Sequence, residues 1–159
     1  MKITIYCIGK LKENYWKDAC AEYLKRLKPY ADTSIVELPD YPCKQNASEA
    51  EITAVKEKEG KHVIDLLSPS DYLIALDLNK KQYDSVSFSA HLEEAFRRGG
   101  SNLYFVIGGS MGLSDELKKR ANESLTLSEL TFPHQLTRVI LLEQLYRAFR
   151  ISHNEPYHK

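Results

Sequence analysis

Two stretches of this chain are apolar almost without interruption, and they limit its architecture more than any other feature. Tyr72-Leu-Ile-Ala-Leu-Asp-Leu78 carries one charged residue, and Leu103-Tyr-Phe-Val-Ile107 carries none. A strand with one wet face alternates apolar and polar residues. A strand covered on both faces does not, and such strands belong to parallel sheets with helices above and below. The rest of the pattern fits that arrangement. Residues 2–8 form a short β-rich apolar run. Over 14–28, Trp16, Cys20, Tyr23, Leu24 and Leu27 recur at helical spacing, and Pro29 ends the helix. Thr33 to Leu38 reads as a strand ended by Pro39, and Asp40 to Asn46 as a loop. Ser48 and Glu51 have capping-box spacing, so a helix is expected from there toward Leu67, disturbed at Gly60. Another helix is expected at 87–98, stopped by Gly99-Gly100. Ser114 caps a further one, with Asp115 and Glu116 favoured by the dipole of its first turn. A short strand at 124–127, a loop at 128–133 and a long helix from His134 to Ser152 complete the chain before a polar tail. Strand and helix thus alternate about five times, which predicts an α/β fold with a mostly parallel sheet. No repeat or linker interrupts residues 1–159, so a single domain is expected.

Composition narrows the function. Hydrophobic residues make up 43% and charged residues 28%, enough for one buried core. Lys+Arg and Asp+Glu are 22 each, which excludes a strongly basic RNA-coating protein but leaves room for a local basic patch. The apolar run at the N-terminus ends at Lys10 and Lys12, too soon for an export signal or a membrane span. A cytoplasmic protein without a membrane partner is expected. Cys7, Cys20 and Cys43 are odd in number and lack metal or redox spacing, so reduced, mostly buried thiols are expected.

In open parallel sheets ligands sit beyond the carboxyl ends of the strands. Three loops leave such ends here: after Leu78, after Ile107 and after Leu127. The second, Gly108-Gly109-Ser110-Met111-Gly112, admits three functional readings. A dinucleotide fingerprint would need glycine where Ile107 stands. A hydrolase elbow, Gly-x-Ser-x-Gly, would make Ser110 a nucleophile, with His134, His153 or His158 as its base. Against it, Ser114 caps the helix four residues later, and no clear acid lies between serine and histidine. A backbone cradle needs neither nucleophile nor metal, because glycines let main-chain groups approach a ligand unobstructed. A plain turn needing positive φ is the alternative without function. In the third loop, Ser128, Glu129 and Thr131 could hold a ligand.

The last helix carries Leu136, Val139, Ile140, Leu141, Leu142, Leu145, Ala148, Phe149 and Ile151. That stripe is too wide for one buried face, so the helix lies centrally or also meets a second subunit. Glu143 and Arg147 are spaced to pair on the surface. Arg138, Arg147, Arg150 and Lys159, with His134, His153 and His158, face only Glu143 and Glu155 in the same stretch. A locally basic end results, and Tyr157 could stack on a base. A frayed terminus is the default for such a tail. Its histidines lack a second ligand set at metal spacing, so no metal is expected.

Phe105-Val-Ile-Gly-Gly-Ser-Met-Gly-Leu-Ser114, Leu125-Thr-Leu-Ser-Glu-Leu-Thr-Phe-Pro-His134, Leu141-Leu-Glu-Gln-Leu-Tyr-Arg-Ala-Phe-Arg150 and the ending Asn154-Glu-Pro-Tyr-His-Lys159 closely resemble the bacterial ribosomal RNA large subunit methyltransferase H (RlmH) family, of the SPOUT class. The resemblance spans the whole chain, and its ending is the most specific part. It implies a SPOUT-type α/β knot, with a trefoil knot near the C-terminus that pattern reasoning would not supply. It also implies a homodimer, S-adenosylmethionine as cofactor, and N3-methylation of a pseudouridine in the 23S ribosomal RNA of the assembled ribosome. Positions matching the family's cofactor site are Leu76, Gly108, Leu127, Ser128, Glu129, Leu130, Thr131 and Phe132. Tyr157 and His158 match its substrate-side tail as catalytic candidates, His158 as base or orienter. Arg138, Arg150, His153 and Lys159 are the candidate substrate-binding residues. Two positions depart from the family: Ser110 stands where many relatives have proline, and Lys159 where some have arginine. The first weakens Ser110 as a nucleophile, and the second removes bidentate phosphate geometry.

Overall fold

A computed structural model describes all 159 residues. Five strands and five helices alternate: β1 (Lys2–Ile8), α1 (Asn14–Leu27), β2 (Asp32–Leu38), α2 (Glu49–Leu66), β3 (Leu73–Lys81), α3 (Ser85–Gly99), β4 (Asn102–Ile107), α4 (Asp115–Arg120), β5 (Glu123–Leu125) and α5 (His134–Ser152). The sheet order is β2-β1-β4-β3-β5, and every neighbouring pair runs parallel. The two apolar runs are the adjacent strands β3 and β4. On one face Ile3, Ile5, Cys7, Ile74, Leu103, Phe105 and Ile107 pack with α1, α3 and α5 in the larger core. On the other, Tyr6, Leu73, Ala75 and Val106 meet Val63 of α2 with Leu113 and Leu117 beside and on α4. Burial on both faces therefore removes the alternation that a half-exposed strand would show.

The structure corrects three boundaries. Gly60 does not disturb α2. A Cβ there would fall 2.6 Å from Ser114 Oγ, so the glycine lets α2 lie close against α4. β3 continues past Leu78 to Lys81 through an irregularity against β5, where Asn79 takes φ 56°. β5 ends at Leu125 rather than at residue 127. The Thr126 N–H donates to Lys81 O at 2.9 Å, which draws the chain out of the regular ladder.

Cys7 and Cys20 are buried and Cys43 is partly exposed, all as free thiols. Burial pushes the Cys7 thiol up to about 12, so it is inert as a nucleophile. Glu59 of α2 is 3% exposed. Its Oε2 accepts from the Tyr41 N–H at 2.9 Å, and its Oε1 has no partner. Burial, with Asp40 as a smaller cause, raises its pKa. A carboxyl with a raised folded pKa loses stability as pH climbs from the ordinary carboxylate range toward that value. The wild-type chain is therefore expected to lose thermal stability relative to Glu59→Gln between pH 4 and pH 7, measured by paired melts. A difference independent of pH would contradict this.

Candidate functional site

The three strand exits singled out in the sequence converge. The Leu76–Leu78 stretch, where β3 leaves its regular pairing with β5, the end of β4 and the segment after β5 enclose a cavity of about 430 Å³, within the size range of small-molecule sites. Leu76, Gly108, Leu127, Ser128, Leu130, Thr131 and Phe132 line it, seven of the eight candidate cofactor positions. Glu129, the eighth, is exposed and does not line the cavity.

The glycine loop forms its floor. Gly109 and Gly112 bridge each other, with the Gly112 N–H donating to Gly109 O at 3.0 Å and Gly112 at φ 88°. A Cβ on Gly108 would fall 3.0 Å from Leu113 Cδ2 and 3.1 Å from the Gly112 carbonyl carbon. The loop is thus a closed turn that borders the cavity. Ser110 sits exposed at its tip, hydrogen-bonded to no histidine, while Ser114 caps α4 by accepting from the Leu117 N–H. An elbow requires the serine to lead straight into the helix. This geometry removes the hydrolase reading.

Thr126 fixes the opposite wall. Its hydroxyl donates to Asp77 O at 2.8 Å and accepts from the Lys80 N–H at 2.7 Å, which ties the exit of β5 to the bend in β3. It is 4% exposed. Thr126→Val keeps the shape but strands a backbone donor and acceptor, at a cost of about 1–3 kcal/mol. Reduced stability is expected, read by denaturant titration.

A second cavity, about 550 Å³, lies beyond the same wall and shares Thr126, Leu127, Ser128 and Phe132 with the first. Its other lining includes Tyr83, Val86, Ile140, Gln144 and His158. One short segment thus partitions two adjoining spaces, and the C-terminal tail borders the second.

That tail is folded onto α5 rather than frayed. The Glu155 N–H donates to Arg150 O at 2.9 Å, and Arg150 Nη2 donates to Pro156 O at 3.0 Å. The Tyr157 hydroxyl donates to Glu143 Oε1 at 3.2 Å, and its ring lies 4.7 Å from the Arg147 guanidinium. Arg147 Nη1 donates to His158 Nδ1 at 3.2 Å. A neutral His158 ring so bound carries its proton on Nε2 and presents a donor outward.

The expected basic end is largely neutralised. Arg147 pairs with Glu143 at 2.5 Å and Arg150 with Glu155. Arg138 is a correction: it is 1% exposed, donating to Glu37 Oε2 at 2.7 Å and to Gly9 O at 2.8 Å. It anchors α5 to the exits of β1 and β2 and cannot meet a phosphate from there. Counting opposing acids only within the last helix and tail missed Glu37. Arg150 also donates to the Tyr30 hydroxyl at 3.2 Å, bracing the tail. His153 is exposed, with Nδ1 against Phe149 O at 2.9 Å, and Lys159 is exposed. Sequence reasoning passed over Asp77 and took His134 only as a possible base for Ser110 and as part of the basic end; both stand in the first cavity's wall. Asp77 sits within an apolar run, so it did not stand out.

Residues 1–158 match the family model described as Predicted SPOUT methyltransferase. Proteins of Bacillus thuringiensis (strain Al Hakam) and Bacillus cereus (strain B4264), both named ribosomal RNA large subunit methyltransferase H, are 54% identical over 159 residues, covering 100% of both chains in each comparison. A Legionella pneumophila protein described as a methyltransferase, solved with the cofactor S-adenosylmethionine bound, shares the fold at TM-score 0.53 and 12% identity. The match covers 94% of this chain and 66% of that one.

Proposed function

Because the chain belongs to the ribosomal RNA large subunit methyltransferase H family of SPOUT methyltransferases, we propose that it moves the methyl group of S-adenosylmethionine to N3 of a pseudouridine in 23S ribosomal RNA. The observation that carries this reading is the convergence of three strand-exit loops on one cavity with an adjoining space across a shared wall. The adenosyl group occupies the glycine-loop cavity, where Gly108 and the 127–132 segment offer backbone groups. The acceptor base enters the adjoining space beside His158, with Tyr157 next to it.

The sulfonium is already an activated electrophile. The protein's part is to align the acceptor nitrogen with the methyl–sulfur bond, worth several kcal/mol, and to accept the N3 proton. Arg147 occupies His158 Nδ1, so the base role requires that contact to break as RNA docks. Lys159 and His153 face the RNA backbone.

Homodimerisation and a single domain with a trefoil knot belong to this reading. Leu130 (71% exposed), Leu78 and Val86 leave apolar surface beside the two cavities for a second copy to cover. No helix is long and apolar enough to cross a membrane, and the cytoplasm, where ribosomes lie, is the proposed location. With three arginines committed to carboxylates, few phosphate contacts are available, and recognition rests on the shape of the assembled ribosome.

The test is transfer of tritiated methyl to ribosomes from a strain lacking the enzyme, followed by nucleoside mass spectrometry. N3-methylpseudouridine supports the reading. Label on another nucleoside, or none, refutes it.

A further inference from the structure

Asp77 is the only carboxylate lining the glycine-loop cavity, and His134 is the only other titratable side chain of acid or base type there. Asp77 Oδ1 accepts from the Leu78 N–H at 2.8 Å. Oδ2 is buried and accepts no hydrogen bond. The Lys118 ammonium stands 3.5 Å from it, at the outer limit of hydrogen bonding, and is itself 37% exposed. The hydroxyl that could have served Oδ2, that of Thr126, donates instead to the Asp77 carbonyl. A covered carboxylate oxygen whose one opposite charge is a partly exposed ammonium at that distance is under-compensated, and a cationic ligand group would complete it. His134 adds no positive charge, since burial and then Arg138 hold its pKa below the usual histidine value. The cavity is therefore a small, mostly apolar space with one under-used anion in its wall.

Resting on the reading of this cavity as the cofactor site, we propose that Asp77 Oδ2 is the counter-ion for the cationic methionine portion of S-adenosylmethionine, its sulfonium or its ammonium. Lys118 faces the same oxygen at 3.5 Å and withdraws toward solvent when the ligand enters. Adenosyl ligands would then be sorted by charge as well as by shape.

The experiment compares wild type, Asp77→Asn and Gly108→Val by calorimetry with three ligands: S-adenosylmethionine, S-adenosylhomocysteine and the uncharged methylthioadenosine. Asparagine keeps the acceptor for the Leu78 N–H and removes only the charge. Asp77→Asn is expected to weaken S-adenosylmethionine about tenfold or more and to leave methylthioadenosine within about twofold. Weakening of S-adenosylhomocysteine as well assigns the ammonium, and its retention assigns the sulfonium. Unchanged S-adenosylmethionine affinity, or equal loss for all three ligands, overturns the proposal. Gly108→Val separates the two readings. Valine there overfills the loop, so full S-adenosylmethionine binding by this variant would mean that the ligand sits elsewhere, and the cavity assignment itself would fall.

Discussion

Methyl transfer to ribosomes is expected to fall about a hundredfold in His158→Ala, with S-adenosylmethionine affinity unchanged. The magnitude is that of losing a positioned acid–base group. The separation of effects follows from geometry. His158 borders the second cavity and is absent from the lining of the first, so the shared wall insulates the cofactor from the substitution. The side chain is exposed and its one hydrogen bond is to Arg147, so the fold does not depend on it. Single-turnover rates and a parallel binding titration decide the matter. Transfer within twofold of wild type would remove His158 from the chemistry, and Tyr157 would then be the remaining candidate in the tail.

Arg138→Met is expected to destabilise the protein by about 3 kcal/mol, the low end for breaking a buried ion pair. The lower figure reflects Glu37, whose side chain is 35% exposed and regains water when its partner is lost. The Gly9 carbonyl has no such recourse, because it faces the buried guanidinium. For a chain of this size the change corresponds to a fall in Tm of roughly 10 °C. Adding Glu37→Gln should recover part of the loss, since an uncompensated carboxylate disappears. Denaturant melts of the two single variants and the double variant measure this coupling. A loss below about 0.5 kcal/mol would show that α5 is held by its apolar face alone. RNA affinity, measured under conditions where both proteins are folded, is expected to be unchanged, unlike the outcome for a phosphate-binding arginine.

Much of the fold is legible in the order of the amino acids alone. The apolar runs Tyr72–Leu78 and Leu103–Ile107 disclose a sheet buried on both faces, because burial acts on every residue of such a strand and leaves a local mark. Ser48, Ser114 and Gly99-Gly100 mark helix ends for the same reason: an unsatisfied N–H or a needed positive φ is met within a few residues. The site is legible as a place, since parallel topology directs ligands to the strand exits. The motifs from Phe105 to Ser114 and from Leu125 to His134, and the ending Asn154 to Lys159, are specific enough to point to the family. What each polar side chain does is legible only where its partner is near, as with Glu143 and Arg147.

Tertiary structure alone decided the rest. Arg138 and Glu37 are 101 residues apart, and they meet because β2 lies beside β1 and α5 crosses their exits. Thr126 ties to Asp77 because β5 lies beside β3. The same neighbourhood leaves Asp77 Oδ2 without a donor. Local pattern records whether a residue is covered, since that depends on its own strand or helix. It does not record which distant group supplies its hydrogen bond or its opposite charge, because that is set by strand order, and strand order leaves no trace in the spacing of residues along the chain.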